Sequence, residues 1–263
     1  MTANLNYFFE LCDCPLLEKM TLDIYFYFSD MIKTAIILAG GFGTRLQSVI
    51  ADVPKPMAPI GKEPFLHYLF LYLKKHEVEK VVLAVGYLHE KIIAHFGSNY
   101  LGIEIEYSIE TSPLGTGGGI QQAISMTTGD VLILNGDTFL EIDLTALYHF
   151  HTSQKVDLTM SLKLMTDFDR YGTVSKENNQ IVRFNEKKHC KSGLINAGIY
   201  VCSKAVFEKE NMPIKFSFEE DFLIPKLSDI KVYGFETDGY FIDIGIPEDY
   251  KKAQEELPQK FEI

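Results

Sequence analysis

Four short apolar runs set the strongest limit on what this chain can fold into. They are rich in Val, Ile and Leu, and segments with helical patterns separate them along the chain. The runs are Thr34–Leu38, Lys80–Val85, Ile103–Tyr107 and Val131–Leu134. Thr34–Leu38, Lys80–Val85 and Val131–Leu134 are almost continuously apolar, which is typical of buried strands. Ile103–Tyr107 alternates between apolar and polar residues, as in a strand with one solvent-exposed face. Strands that alternate with helices at this interval predict an α/β fold with a doubly wound, mostly parallel, Rossmann-like sheet.

Helices are expected between these strands. Proline favours the first turn of a helix, so Pro64 is expected to open the first one. The others are expected at Leu88–Phe96 and Gly117–Ile124. Right-handed crossovers would then bring the loops at the strand C-termini to one edge of the sheet. All the glycine-rich segments of this part of the chain fall at that edge.

From Leu144 onward the pattern changes to shorter, alternating strands. The expected elements are a helix at Leu144–Thr152, strands near Asp157–Lys163, Tyr171–Val174, Ile181–Asn185 and Ile195–Val201, and a closing helix at Ile246–Leu257. This order predicts a mixed-sheet extension that forms a lid or a wall for a second substrate. No linker interrupts it, so we expect one continuous domain over residues 31–263, with halves at 31–143 and 144–263.

Residues 1–30 differ from the rest of the chain. The run Ile24–Phe28 is aromatic and shows neither helical nor strand alternation. We expect an upstream start or an added segment, since the first strand begins just after Met31. The alternative is an aromatic arm that packs on the body or on a second subunit. No basic region precedes an apolar stretch in the first 20 residues, so no export signal is expected.

Charge and cysteine content narrow the classes of partner. The formal net charge is −11, and no run of lysines or arginines occurs. A nucleic-acid surface is therefore not expected. The cysteines are Cys12, Cys14, Cys190 and Cys202. They lack zinc-site spacing, so free thiols in a reducing cytoplasm are predicted. No apolar run reaches the roughly 18 residues of a membrane span, so no membrane partner is expected.

The loop after the first strand is typical of a phosphate-binding loop. Its glycines, Gly40, Gly41 and Gly43, allow a tight turn and expose backbone N–H groups to an anion. Arg45 offers a forked donor and Lys55 a point charge. No Walker A string occurs, and Leu46 stands where a dinucleotide-binding loop needs its third glycine. The alternative is a glycine-rich turn beside two solvated cations.

Two aspartates are candidates for holding a metal ion. Asp137 follows the strand Val131–Leu134, and Asp243 lies among apolar residues. A carboxylate at a strand end beside phosphates suits Mg²⁺. An unpaired buried carboxylate is costly, so Asp243 also needs a partner. Alone, Asp137 could equally be a turn residue satisfied by its own backbone.

In sequence, the chain resembles the sugar-1-phosphate nucleotidyltransferases. The resemblance covers Ile32 to Leu257. It rests on Gly-Gly-x-Gly-Thr-Arg-Leu at 40–46 with Pro-Lys-Pro at 54–56, the strings Ser112–Gly118, Tyr171–Val174 and Asn196–Tyr200, and the pair Glu186-Lys187. It implies that residues 31–143 bind the nucleotide and residues 144–263 the sugar phosphate.

The resemblance also implies a role for each matched residue. The implied catalytic residues are Arg45, Lys55, Asp137 and Lys187. Nucleotide binding is implied for Leu38, Ala39, Gly40, Gly41, Gly43, Thr44, Arg45, Lys55, Pro113, Gly115, Thr116, Gly136 and Asp137. Sugar-phosphate binding is implied for Tyr171, Gly172, Glu186, Lys187, Asn196 and Gly198. Asp137 and Asp243 would hold Mg²⁺.

The substrates implied are an NTP and a sugar 1-phosphate. The chain is most similar to guanylyltransferases for manno-configured sugars, which suggests GTP, and a homo-oligomer is possible. It departs from the usual Glu-Lys-Pro string because Lys188 replaces the proline. Two alternatives remain: a uridylyl-, thymidylyl- or cytidylyltransferase, and a non-catalytic subunit that binds a sugar nucleotide. A Rossmann oxidoreductase is disfavoured because Leu46 replaces the third glycine of the dinucleotide-binding loop.

Overall fold

The fold is described by a computed structural model that covers residues 31–41, 53–208 and 212–262. The expectations for residues 1–30, and for Gly43, Thr44 and Arg45, lie outside these ranges. Cys190 and Cys202 are free thiols, as predicted. In the described ranges, every helix is too short or too polar to cross a bilayer.

The strands are numbered along the chain. They are β1 Thr34–Leu38, β2 Pro59–Ile60, β3 Glu63–Pro64, β4 Lys80–Val85, β5 Asn99–Tyr100, β6 Ile103–Ile109, β7 Asp130–Asn135, β8 Thr138–Leu140, β9 Leu158–Phe168, β10 Val174–Glu177, β11 Gln180–Phe184, β12 Cys190–Ser203, β13 Val232–Thr237 and β14 Phe241–Asp243.

The helices are numbered in the same way. They are α1 Phe65–Lys75, α2 His89–Phe96, α3 Gly115–Ile124, α4 Leu144–Gln154, α5 Lys204–Glu208, α6 Ile224–Lys226 and α7 Pro247–Lys260. A 3₁₀ turn at Lys55–Met57 and a π-helix at Phe218–Leu223 complete the helical segments of the described residues.

A parallel core carries the predicted α/β architecture. In the order β7-β1-β4-β6, each strand pairs in parallel with its neighbour. Successive side chains of a strand point to opposite faces. Ile37 accordingly packs in the core with helix α1, whereas Ile36 packs in the core with helix α3. Both faces of the core are covered, which confirms the prediction of a doubly wound sheet.

The second half of the chain extends the same sheet with mixed strands. The ten strands lie in the order β10-β11-β13-β9-β12-β7-β1-β4-β6-β5. Strand β12 is antiparallel to both β7 and β9, and β13 is parallel to β9. The register of β12 shifts between Asn196 and Tyr200, as in a β-bulge. The predicted mixed-sheet extension is therefore confirmed.

Several predicted boundaries in this extension were wrong. The strand expected at Tyr171–Val174 instead runs over Val174–Glu177, and Thr173 makes only an isolated bridge to Ile195. Tyr171 and Gly172 thus lie in the loop before the strand. The sequence analysis also missed β13, Val232–Thr237, in which Gly234 interrupts the run of strand-forming residues.

A separate two-stranded sheet joins distant parts of the chain at the edge of the core. Strands β8 and β14 are antiparallel, with Asp243 opposite Thr138. The N–H of Ile244 donates to the backbone oxygen of Asp137 at 3.0 Å. This pairing brings the two candidate metal ligands to the same place.

Candidate functional site

A cavity of about 340 Å³ opens at the carboxyl ends of β1 and β7. Residues from four segments of the chain line it: Leu38, Gly40 and Gly41; Lys55 and Pro56; Glu110, Pro113, Gly115 and Thr116; and Asn135 and Asp137. Ligands of open α/β sheets bind at this edge, outside the carboxyl ends of the strands. Eight of the predicted nucleotide-binding residues are among those that line the cavity.

Close backbone contacts shape the floor of the cavity. The N–H of Gly136 donates to the Leu38 oxygen at 2.9 Å, and Ala39 donates to the Ala84 oxygen at 2.7 Å. A Cβ on Gly136 would lie only 2.4 Å from the Leu38 oxygen. Glycine is required at 136 because the two strand ends approach too closely for a side chain. Ala39 is buried and does not line the cavity.

The opposite wall is a turn that leads into helix α3. Gly115 has a φ of +74°, and a Cβ there would lie 2.5 Å from the Phe216 oxygen. That same oxygen accepts from the Gly117 N–H at 3.0 Å, and the Thr116 hydroxyl accepts from the Phe218 N–H at 2.9 Å. This turn, which is predicted to bind the nucleotide, is therefore fixed against the segment that leads into the π-helix.

Glu110 lines the cavity, and the sequence analysis missed it. Its carboxylate accepts from the Leu114 N–H at 3.1 Å, and Cβ atoms on Gly40 or Gly119 would lie 2.9 Å from its Oε1. It also lines an adjoining cavity of about 210 Å³. Burial raises the pKa of Glu110 above its ordinary value. The available signal was an acidic residue directly after an apolar strand.

The candidate metal ligands share one cationic partner. The Lys55 Nζ atom lies 2.5 Å from Asp137 Oδ2 and 3.6 Å from Asp243 Oδ1. The Lys55 side chain is only 14% exposed, so the pair interactions are partly shielded from water. Three residues that the sequence placed far apart thus form one charged cluster at the cavity.

A second cation, also missed in the sequence analysis, flanks this cluster. Arg170 Nη2 lies 3.7 Å from Asp243 Oδ2, and Arg170 also pairs with Asp249 in the first turn of α7. The neighbouring Tyr171 hydroxyl donates to Asp243 Oδ2 at 3.4 Å. Burial, and then the charge of Asp243, raise the pKa of Tyr171 above its ordinary range, so this hydroxyl keeps its proton. The predicted residue Tyr171 therefore contacts the cluster directly.

Asn185 connects three of the predicted sugar-phosphate residues, Gly172, Glu186 and Lys187, to the loop of Tyr171. Its amide donates to the Thr173 oxygen at 3.2 Å, and a Cβ on Gly172 would lie 2.5 Å from the Asn185 oxygen. Glu186 and Lys187, which follow Asn185 directly, are exposed. The loop that carries Lys187 is thus held beside the loop that carries Tyr171 and Gly172.

Asn196 and Gly198 lie at the bulge of β12. The Asn196 amide donates to the Tyr200 hydroxyl at 2.6 Å and to Glu219 of the π-helix, and its oxygen accepts from the Gly198 N–H at 3.1 Å. Gly198 has a φ of +79° and faces Asn135, which lines the cavity. The bulge therefore borders the cavity on the side of strand β7.

The donor set of the cluster fits a hard divalent cation. Asp137 and Asp243 are carboxylates, and each has one oxygen directed at the same point, the Lys55 ammonium. Mg²⁺ is typically bound through one or two carboxylates together with substrate phosphates. Over the described ranges, no group of three or more His, Cys, Asp or Glu residues could hold a metal ion. The two aspartates thus suit a metal that also binds a phosphorylated ligand.

The fold defines an α/β protein with a cavity at the carboxyl ends of its parallel strands, and the sequence comparison identifies its family. The model of the family described as Nucleotidyl transferase matches residues 34–260. This chain belongs to the nucleotidyl transferase family. The match spans both the parallel core and the mixed extension, so both halves of the chain are parts of one family fold.

Individual relatives share most of the chain. It is 53% identical over 224 residues to D-glycero-α-D-manno-heptose 1-phosphate guanylyltransferase from Aneurinibacillus thermoaerophilus, covering 85% of this chain and 97% of that protein. It is 49% identical to the enzyme of the same name from Campylobacter jejuni, covering 82% and 96%. The crystal structure of HddC from Yersinia pseudotuberculosis complexed with GMP-PN superposes with a TM-score of 0.76 at 39% identity, covering 88% of this chain and all of that one.

Proposed function

We propose that this protein transfers a guanylyl group from GTP to D-glycero-α-D-manno-heptose 1-phosphate and releases pyrophosphate. The observation that carries the proposal is the cavity that Gly40 and Gly41 after β1, the Pro113–Thr116 turn and the Lys55–Asp137 pair line together. Its size and position suit a nucleotide whose phosphates reach the charged cluster. The choice of guanine and of the heptose rests on the names of the 53% and 49% identical relatives.

The reaction needs positioning and charge stabilisation more than proton transfer. A sugar phosphate is already an anionic nucleophile, so no general base is required. Mg²⁺ on Asp137 and Asp243 would neutralise charge on the reacting phosphate. Lys55 would bind the same phosphate, and Arg45 and the loop N–H groups would hold the leaving pyrophosphate. Removing one such preorganised donor typically costs about 3 kcal/mol of transition-state stabilisation.

On this proposal the nucleophile arrives from the mixed extension. Lys187 would bind the sugar phosphate, Glu186 and Asn196 the sugar hydroxyls, and Gly172 and Gly198 would let backbone groups approach the sugar. Tyr171 lies between this region and Asp243, at 3.4 Å from the carboxylate. The product would be a nucleotide sugar made in the cytoplasm, and a homo-oligomer remains a prediction.

A substrate matrix tests the proposal. Four NTPs would be combined with glucose, mannose and heptose 1-phosphates, and pyrophosphate release would be measured with Mg²⁺. We expect GTP with the heptose phosphate to give the highest kcat/KM. Faster use of UTP, CTP or dTTP would overturn the guanylyl assignment and leave the family assignment intact. No turnover with any pair would favour a non-catalytic binding subunit.

A further inference from the structure

The two oxygens of the Asp243 carboxylate have different surroundings. Oδ1 accepts from the Gly245 N–H at 2.8 Å and faces Lys55 Nζ at 3.6 Å. Oδ2 faces Arg170 Nη2 at 3.7 Å and accepts from the Tyr171 hydroxyl at 3.4 Å. The Oδ1 side is therefore the side that faces Lys55 and, beyond it, Asp137.

Arg170 is itself held in place by two contacts. Its Nη1 donates to Asp249 in the first turn of α7, and its guanidinium carbon lies 5.3 Å from the centre of the Tyr171 ring. The planar guanidinium can thus use one edge for Asp249 and still direct Nη2 at Asp243. Helix α7 and the loop before β10 meet at this residue.

We propose that Arg170 is a positioning residue for the metal site. Its guanidinium attracts Oδ2 of Asp243 as an ion pair at 3.7 Å, beside the Tyr171 hydroxyl that donates to the same oxygen, so that Oδ1 is presented to the metal and the phosphates; Asp249 in turn orients Arg170. The inference rests on the proposed function, in which Asp243 is a metal ligand. Ligating carboxylates depend on hydrogen bonds from a surrounding layer of residues, and removing such partners typically lowers metal affinity about 10–100-fold.

The positive charge of Arg170 could also affect metal affinity directly, in the opposite direction to its orienting role. A lone cation beside Asp243 would repel a divalent metal, and its removal would then tighten metal binding. Asp249 carries the compensating negative charge, because its carboxylate pairs with the same guanidinium. The Arg170–Asp249 pair is therefore close to neutral, and we expect its orienting effect on Asp243 to outweigh the repulsion of the metal.

Mn²⁺ binding measured by electron paramagnetic resonance tests the inference without turnover. The protein would be titrated with Mn²⁺ in the presence of saturating GTP and no sugar phosphate. We expect Arg170→Met to raise the Mn²⁺ Kd about 10–100-fold and Arg170→Lys to raise it less. Asp249→Asn should also raise it, and the Arg170→Met/Asp249→Asn double variant should resemble Arg170→Met alone. Arg183→Met, at an exposed arginine of β11, is the matched control and should leave the Kd unchanged.

Two reference measurements make the outcome decisive. Unchanged or tighter Mn²⁺ binding by Arg170→Met would overturn the inference. If Asp243→Asn also binds Mn²⁺ like the wild type, Asp243 is not a metal ligand, and that part of the proposed mechanism fails; the substrate matrix decides separately on the guanylyl transfer itself. Thermal unfolding would be measured for each variant. If Arg170→Met does not fold, Arg170→Lys and Asp249→Asn decide the question, because a purely structural role would lower Tm and leave the Mn²⁺ Kd unchanged.

Discussion

The parallel core and the mixed extension each form one wall of the candidate site, and different kinds of contact hold the two walls together. At the ends of β1 and β7, backbone groups touch each other, as between Gly136 and the Leu38 oxygen. In the mixed part, side-chain amides connect the segments: Asn185 bonds Thr173, and Asn196 bonds Tyr200. Both walls contain a glycine with no room for a Cβ, Gly136 in the first and Gly172 in the second, but the second wall also depends on side-chain amide donors.

The largest effect is expected where the two parts meet. Asp137 follows a strand of the parallel core, and Asp243 ends β14, yet both face Lys55. Asp137→Ala and Asp243→Ala should each lower kcat about 100–1,000-fold, because each removes a ligand that stabilises charge in the transition state. Pyrophosphate release measures the rate, and circular dichroism checks the fold. Near wild-type rates with Mg²⁺ in both variants would show that Asp137 and Asp243 do not lie at the reaction centre.

In the parallel part, replacing glycine by alanine should lower the free energy of unfolding at Gly136 but not at Gly41. Gly136→Ala puts a Cβ 2.4 Å from the Leu38 oxygen, so the strand ends must separate. We expect a loss of about 1–3 kcal/mol in the free energy of unfolding. Gly41→Ala is the matched control, since a Cβ there meets nothing within 4 Å. Urea denaturation measures both, and an equal loss in the two variants would contradict the close-contact explanation.

In the mixed part, removing a charge should change one substrate selectively. Lys187 is exposed on the loop held by Asn185. Lys187→Ala should raise the KM for the sugar 1-phosphate about tenfold and leave the KM for GTP nearly unchanged. Lys188→Ala, at the adjacent exposed lysine, is the control and should have a smaller effect. Equal increases in both KM values would mean that the two walls do not serve separate substrates.

The smallest effect is expected at Glu110 and depends on pH. Burial raises the pKa of this carboxyl in the folded protein. The folded state therefore binds the proton more tightly, and stability is lost as pH rises from about 4.5, the unfolded value, through the folded pKa. Glu110→Gln keeps an acceptor for the Leu114 N–H and removes this dependence. The free energy of unfolding of Glu110→Gln minus that of the wild type should increase between pH 4 and pH 7. If this difference stays constant with pH, burial does not raise the pKa of Glu110 in the folded protein.

Local patterns predicted the parallel part better than the mixed part. The strands Thr34–Leu38 and Lys80–Val85 appear with the predicted bounds, because continuous β-branched runs leave little choice of structure. Strand β13 was missed because its place beside β9 depends on partners far away in the sequence.

The residues of the candidate site also differ in how well the sequence predicted them. Lys55 belongs to a recognisable string and Asp137 follows a clear apolar strand, and the structure brings the two together. Arg170 and Asp249 carry no motif, and their relation to Asp243 exists only in three dimensions. Glu110 was also missed, since a single acidic residue after a strand has no distinctive neighbours in the sequence.

The pairing of β8 with β14 has a consequence for how the protein is made. Asp137 leaves the ribosome long before Asp243, and the two are joined only when β14 docks on β8. Chain synthesis proceeds at about 5–20 residues per second, and pairings distant in sequence form slowly. A nascent chain can therefore complete its parallel core while its charged cluster still lacks one member. Premature termination before residue 241 would remove Asp243 from the site and, with it, Ile244, Ala253 and Leu257 from the core.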